Sequence, residues 1–403
     1  MTTFLSLPAG LALTAGLVLA STATAQTTAT FVKDINTNPS TTTSPSSPYP
    51  GRTFVSQNSN QWLMMGGKFY FSAFTNTNGY ELYMSDGTAA GTKMVADINK
   101  GSASSYPSYF TVVGSKIYFR AITAATGYEL WVTDGTAAGT KMVKDIRAGA
   151  SSSSPYNLAR VGSKVVFVAN DGGTKGSELW ISDGTKAGTN LLKDIRPGAS
   201  SSIISYCRSN FVGNKVFFRA YDGTHGYEVW VTDGTAAGTK LVKDIRSGSL
   251  SSYPAYFQVL GPLKVVFEAN NGTNGTELWV SDGTSAGTKL VKDVYAGATS
   301  GTSCYSATPF GVTKVLFRGY TAASGYEAWV TDGTAAGTLQ VAEIRAGTAS
   351  SYMYYSAQDS GKAYWGASSA AGKYEIWVTD GTKANTKRFG AKEIGRASCR
   401  ERV

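Results

Sequence analysis

Glu129 to Thr140 reads ELWVTDGTAAGT, and the rest of the chain is built on copies of it. Close copies begin at Glu81, Glu178, Glu228, Glu277, Glu327 and Glu375, and successive starts lie 48, 49, 50, 49, 50 and 48 residues apart. Seven copies at a steady period specify a repeat architecture. Each residue type in the stretch has a local reason. Leu-Trp-Val is apolar and strand-forming, with a large aromatic at its centre. Asp-Gly-Thr is turn chemistry: Asp accepts hydrogen bonds from nearby backbone amides, and Gly takes a positive φ without strain. A second Gly-Thr follows, then another strand-like run, Lys141 to Ile146 (KMVKDI). The stretch is therefore a β-hairpin with a Gly-rich turn.

Two more strands are expected before each hairpin. In the second repeat the four are Tyr109–Val113, Lys116–Ala121, Glu129–Thr133 and Lys141–Ile146. Four short strands per period match a propeller blade, a four-stranded sheet standing beside a central channel. Kelch and WD40 repeats have similar periods, but their signatures are absent. The two ends suggest closure. Phe31 to Ile35 reads FVKDI, an outermost strand with no repeat before it. The seventh repeat keeps Glu375–Thr382 but loses its pattern after Phe389, where KDI is due. The fold expected is all-β: a seven-bladed β-propeller of four-stranded antiparallel blades, closed by the N-terminal strand. Phe31–Ile35 would pair with Thr386–Phe389 or Glu375–Thr379 and leave no open sheet edge. An open array of β-units is the alternative. Arg120, Arg219 and Arg318 alternate with Val168 and Glu268 in the second strand, which suggests growth by two-repeat duplication. Asn36–Asn60, rich in Thr, Ser and Pro, reads as a long connecting loop on one face.

The hairpin also carries a family resemblance. The chain resembles the bacterial ELWxxDGT repeat proteins, with departures at Tyr83 for Trp and at Val229, Ala328 and Ile376 for Leu. The resemblance covers residues 30 to about 390. It implies a secreted or surface β-repeat protein and no particular substrate, because the family is defined by its repeat. The hairpin is similar, too, to the LWxxDxDG hairpin of TolB-type propellers. That likeness implies that KMVKDI is outermost and that Tyr109–Val113 lines the channel.

Few charges (16%) and abundant Gly (46) and Tyr (23) suit an extracellular all-β protein. Residues 1–25 read as a secretory signal peptide: Phe4 to Ala20 is mainly apolar, and Ala23-Thr24-Ala25 fits a small-residue cleavage site. The n-region lacks Lys and Arg, so an uncleaved anchor is the rival reading, disfavoured by Pro8 and Gly10. No later stretch is expected to span a membrane. Residues 26–392 form the repeat domain. Residues 393–403, EIGRASCRERV, break the repeat and resemble a translated sequencing adapter. Setting them aside removes three Arg and two Glu and lowers the net charge from +10 to +9. The lysines recur once per repeat, at Lys144, Lys193, Lys243 and Lys292 and at Lys116, Lys164, Lys215 and Lys314. Such spreading reads as a decorated surface, and no nucleic acid is expected as a partner. Cys207 and Cys304 lie two repeats apart and are expected as free, mostly buried thiols, since a disulfide needs Cα atoms within about 7 Å.

A catalytic site on a repeat scaffold should break the repeat. Nearly every acidic residue recurs, as the ELW Glu, the DGT Asp or the KDI acid; only Asp171, Asp222, Glu268 and Asp359 do not. They are scattered, whereas paired-carboxylate chemistry needs two carboxyls within about 5–10 Å. His225 is the only histidine and sits in a loop, so neither a triad nor a zinc or copper site is indicated. Each DGT Asp reads as an acceptor for turn amides, because calcium takes about six to eight oxygens. The ELW Glu reads as scaffold, paired with Lys or Arg of a neighbouring strand or capping the hairpin backbone. Asn271 and Asn274 fit glycosylation sequons. No catalytic residue, metal or cofactor is expected.

Trp131, Trp180, Trp230, Trp279, Trp329 and Trp377 are expected to pack between blades. The candidate ligand-binding residues are tyrosines, one in the loop leading into each first strand: Tyr49, Tyr106, Tyr156, Tyr206, Tyr253, Tyr305 and Tyr352. In a propeller these loops lie near the channel mouth, so the rings would circle one face. Tyr offers an apolar face and a hydroxyl at small entropic cost, which suits sugar or peptide recognition. The structural alternative is that each ring wedges neighbouring blades together, and the register slips at Tyr156 and Tyr206. The function expected is a monomeric binding or adhesion scaffold, secreted, cell-surface or periplasmic, whose ligand is an extracellular glycan or protein. A propeller hydrolase or lyase working in the channel is the alternative.

Overall fold

Period-two apolar alternation, with Gly and Asp at the bends, drives every repeat into a meander. The computed structural model describes residues 32, 33, 35, 62–202, 210–370 and 373–389. The chain divides into two compact units, residues 1–206 and 207–403. Among the described residues every regular element is a strand, and no helix is long and apolar enough to cross a membrane. The first unit holds four-stranded sheets over 62–96, 108–144 and 156–193, and the second over 210–243, 255–292, 302–342 and 353–388. All are antiparallel, with the strands side by side in chain order. In the second sheet they are Ser108–Val113, Lys116–Thr123, Gly127–Thr133 and Lys141–Lys144, within two residues of the expected bounds.

The hairpin turn is held by short polar side chains. Asp134 Oδ1 accepts from the Thr136 amide (2.9 Å) and hydroxyl (2.7 Å), and Thr136 Oγ1 accepts from the Gly139 amide at 2.9 Å. A Cβ on Gly139 would overlap the Asp134 carboxylate as it lies here; the seventh repeat has Asn385 in its place, donating to Asp380 Oδ2 at 2.6 Å. All the carboxylate bonds reported for Asp134 stay inside the turn.

Within each unit, first strands approach the first strand of the next sheet most closely. The faces between are apolar. Val113, Tyr118, Leu130 and Val132 of the second sheet pack with Val165, Phe167 and Trp180 of the third. Trp329 packs likewise against Leu278 and Val280 of the sheet before it. Trp180, Trp230, Trp279 and Trp329 are buried, and Trp131 and Trp377 are partly buried against such clusters, as expected of inter-sheet packing. The fourth-strand lysines do not decorate the surface. Lys144 is half-buried over the Trp180 ring, and its ammonium donates to the Thr189 carbonyl of the next sheet at 2.7 Å. Lys243 reaches Thr288 and Lys292 reaches Thr338 in the same way, at 2.8 and 2.9 Å. A long, flexible side chain closes the gap where the sheets diverge.

The ELW Glu was expected to meet a cation or cap its own hairpin: Glu375 meets a cation, Arg388 of the neighbouring strand, whereas in the other repeats it binds the end of the KMVKDI run and the chain beyond it. Glu129 is fully buried and accepts from the amides of Ile146 (3.0 Å) and Ser153 (3.0 Å) and from the Ser153 hydroxyl (2.6 Å). Those groups lie downstream, in the connection to the next sheet's first strand. Glu81, Glu178 and Glu228 repeat the arrangement with Ser105, Ser202 and Ser252. Gly127, at φ +64°, lets the same connection approach, since a Cβ there would meet the Ser151 backbone at 2.8 Å.

The seventh sheet keeps a short fourth strand although KDI does not follow. Lys387–Arg388 is its fourth strand, pairing Val378 with Lys387 and Trp377 with Arg388. Backbone pairing needs no KDI side chains, so the strand forms without them. The pairing expected for Phe31–Ile35 rests on Phe31 and Asp34, which lie outside the described residues, as do residues 1–25, 36–60 and Cys207. Lys33 and Ile35 are described. Lys33 donates to the Thr92 carbonyl at 2.8 Å. Ile35 packs on Phe69, Phe71, Ala73 and Tyr83. The Lys33 bond has the same form as those of Lys144, Lys243 and Lys292.

Two outcomes are expected. Trp180→Ala should cost about 3–5 kcal/mol in urea denaturation followed by circular dichroism, the range for a large buried aromatic. The second concerns pH. Burial, helped by Asp194, outweighs the donors around Glu178 and pushes its carboxyl up to about 7; Glu277 is pushed to about 7 by burial as well. A folded-state value above the unfolded one means that the folded chain holds the proton longer. The stability these groups give is full below about pH 4.5 and is lost as pH rises through 7. The urea midpoint should therefore fall between pH 5 and pH 8, and less so in Glu178→Gln; an equal fall in the variant would remove Glu178 as a source.

Candidate functional site

The docked connection bends the chain sharply. After the serine bound by the buried Glu, the next residue is left-handed: Tyr106 at φ 47°, Ser154 at 49°, Tyr253 at 49° and Tyr352 at 45°. Three residues on, Tyr109, Asn157 and Tyr256 are left-handed again, at 59°, 52° and 53°. A bulge separates the first and second strands at that place. A left-handed non-glycine residue costs roughly 1–2 kcal/mol, so this geometry is imposed by the docking and carries strain.

The seven candidate tyrosines do not occupy one position. Tyr106, Tyr253 and Tyr352 are equivalent, directly after the docked serine. Tyr156 follows its left-handed residue by two places and is half-buried. Tyr305 lies on the first strand of the sixth sheet, 5.8 Å edge-on from Tyr256. Tyr49 and Tyr206 lie outside the described residues. Four of the five described rings are well exposed: Tyr106 50%, Tyr253 56%, Tyr305 53% and Tyr352 47%. The register expected was therefore too simple, because the connections differ in length and the sixth has Gly301 where the others place serine.

The exposed rings rest on others. Tyr106 stacks on Tyr80 at 5.5 Å, and Tyr80 lies 5.1 Å from Phe74. In the second unit Tyr253 stacks on Tyr227 at 5.9 Å, with Tyr221 at 5.4 Å behind it. Each ladder ends in a flat aromatic face turned to solvent. The second-strand arginines lie over tyrosines too, Tyr227 being a ladder ring: Arg120 over Tyr109 and Tyr128, both at 4.6 Å, Arg219 over Tyr227 at 5.7 Å and Arg318 over Tyr326 at 5.7 Å. All of these groups sit at the end of their sheet where the second strand passes to the third. The ring–cation contacts contribute about 0.5–2 kcal/mol each.

The acids that break the repeat do not converge. Glu268 is pushed up to about 7 by burial, against the Cys304 amide at 3.0 Å and the Arg318 charge. The Cys304 thiol is buried and free. Burial works to raise Asp222, but the His225 imidazole at 2.7 Å and the His225 and Thr224 amides bring it down to about 2. His225 is thus a loop clasp, a role that Asn274 plays with Asn271 one repeat later. Sequence reading missed that clasp; its one signal was the shared loop length. Among the described residues no three His, Cys, Asp or Glu side chains gather.

No family model and no curated protein matches the chain. Among solved structures it is similar to puromycin hydrolase, at 13% identity and a TM-score of 0.38, over 83% of this chain and 53% of that one. It is also similar to a prolyl endopeptidase, at 12% identity and a TM-score of 0.42, over 82% and 49%. A third is the β-propeller domain of the trilobed protease from Pyrococcus furiosus, described as having an open velcro topology, at 13% and 0.38, over 82% and 96%. The chain spans about half the length of the first two. These likenesses are too loose to argue from.

If the exposed rings are not packing residues, glycine should replace Tyr253 at little cost. Relief of the left-handed strain and the entropy of glycine act in opposite directions, so Tyr253→Gly is expected within about 1 kcal/mol of the parent. Chemical denaturation measures this, and a loss above about 3 kcal/mol would make Tyr253 a wedge.

Proposed function

We propose that the chain is a secreted or cell-surface β-propeller of the ELWxxDGT repeat type, acting as a binding or adhesion scaffold. Its seven sheets are blades, the N-terminal strand closes the ring, and the tyrosines of the connecting loops take an extracellular glycan or protein. Support for the propeller is the meander order of every sheet, the convergence of first strands within each unit, and the lysine bridges between outer strands. Support for closure is the docking of Lys33 and Ile35 on the first sheet.

The observation that carries the binding role is the comparison of Tyr106 and Tyr253 with Ser154. All three adopt the same left-handed conformation, so the scaffold does not need a ring there, and yet rings are held out to solvent. Exposed, preorganised aromatic faces lower the entropic cost of binding. Screening the full chain against soluble polysaccharides should give a ligand whose affinity falls at least tenfold in Tyr106→Ala/Tyr253→Ala, with the melting temperature kept. Loss of affinity only alongside unfolding would sink the reading. Closure has its own test. Spin labels at Lys33 and Lys387 should lie within about 20 Å, two sheet spacings; an open stack of seven sheets about 10 Å apart would place them about 60 Å apart.

A further inference from the structure

Arg120 lacks an acid. Its guanidinium is held between the Tyr109 and Tyr128 rings, and among the described residues no carboxylate lies within ion-pair distance of it. Its Nε is buried and has no hydrogen-bond partner. Ser108 stands directly opposite Arg120 in the strand register, and its hydroxyl oxygen is also buried without a partner. Two unsatisfied polar groups thus face one another across one strand pair. Buried polar groups are nearly always satisfied, and an exception points to a group that fills the place. Arg318, whose Nε is likewise buried without a partner, donates through Nη2 to the Ser303 hydroxyl opposite it at 2.8 Å.

The missing partner has a definable chemistry. A guanidinium presents its N–H groups as a planar fork that fits a carboxylate through two parallel bonds. Two residues before Ser108, the exposed Tyr106 offers an aromatic face, stacked on Tyr80. A carboxylate on Arg120 and Ser108 next to a flat apolar platform fits a charged sugar ring.

We propose that Arg120, Ser108 and Tyr106, with Tyr109 and Tyr128, form a subsite for the carboxylate of a uronic-acid polysaccharide. The proposal rests on the tyrosine-platform reading above and names its ligand class. An acidic peptide would present the same carboxylate, but its side chain has no ring face for Tyr106. The full chain is titrated calorimetrically with an oligogalacturonate, with its methyl ester and with oligoglutamate. The oligogalacturonate should bind, the ester at least tenfold more weakly, and oligoglutamate weakly or not at all. Arg120→Gln should lose at least tenfold in affinity and Arg120→Lys most of that, since Lys keeps the charge and loses the fork. Equal binding of ester and acid would overturn the carboxylate subsite while leaving the platform standing. Oligoglutamate binding as tightly as the sugar would overturn the sugar assignment. No binding by any of the three would overturn this subsite, and the separate polysaccharide screen with the tyrosine variants then decides the platform. The ligand comparison uses the unaltered chain, so it holds even if an Arg120 variant fails to fold.

Discussion

A buried carboxylate organises each repeat. An ionised carboxyl without partners is among the most costly groups to bury, yet Glu81, Glu129, Glu178, Glu228, Glu277 and Glu327 are all fully buried. Their partners are neutral donors from the connection downstream, as with Ile98, Asn99 and Ser105 around Glu81. One side chain therefore ties the third strand, the exit of the fourth strand and the approach to the next first strand. The period is constrained by this reach: the bound serine lies 24 residues after its Glu in repeats one to four. Glu375 marks the contrast. Residues from 390 onward lie outside the described set, and this carboxyl instead meets Arg388 at 2.7 Å and Lys373 at 3.3 Å, which hold it low rather than high.

The composition follows from that arrangement. Connections that dock on a sheet end bring backbone against backbone, and Gly and Ser are the residues that fit there. Gly127 makes room for the connection, and Ser152 Oγ accepts the Tyr128 amide at 2.8 Å. The turns run on short polar side chains and Gly: Asp and Thr throughout, with Ser85, Ser182, Ser281 and Asn385 in single repeats. Lys144 and its equivalents place charge where a gap must be spanned. A chain with few charges and many short polar side chains can in this way satisfy its buried backbone.

The strands, their order and the inter-sheet tryptophans were legible in the sequence, because period-two alternation and turn residues act locally. Long-range partners were not. The lysine of KDI reads as a surface residue, since nothing near it in sequence shows that its ammonium reaches Thr189 at a separation of 45 residues. The buried Glu has the same problem over 24 residues. The last fourth strand, Lys387–Arg388, falls inside the expected Thr386–Phe389 and forms by backbone pairing, without the KDI side chains. The tyrosines were found as a class, but their positions were not. No sequence rule assigns a positive φ to Tyr106 or Tyr253, and that angle decides which ring is turned out.

The repeat separates what folds from what binds. Residues that carry the docking bonds recur: the Glu, the paired serines and the glycine before them. The residue after the second serine is Tyr106, Ser154, Tyr253 or Tyr352, all in one conformation. The fifth residue of the second strand is freer still: Ser72, Arg120, Val168, Arg219, Glu268, Arg318 or Gly366. Both positions lie at the same end of their sheet. Strain at the first is imposed by contacts elsewhere, so its side chain can change without loss of the loop shape. A scaffold that fixes backbone in this manner leaves two side chains per repeat open to specialise, and Arg120 among its tyrosines is the place where that freedom has left a charge with no carboxylate in ion-pair range among the described residues.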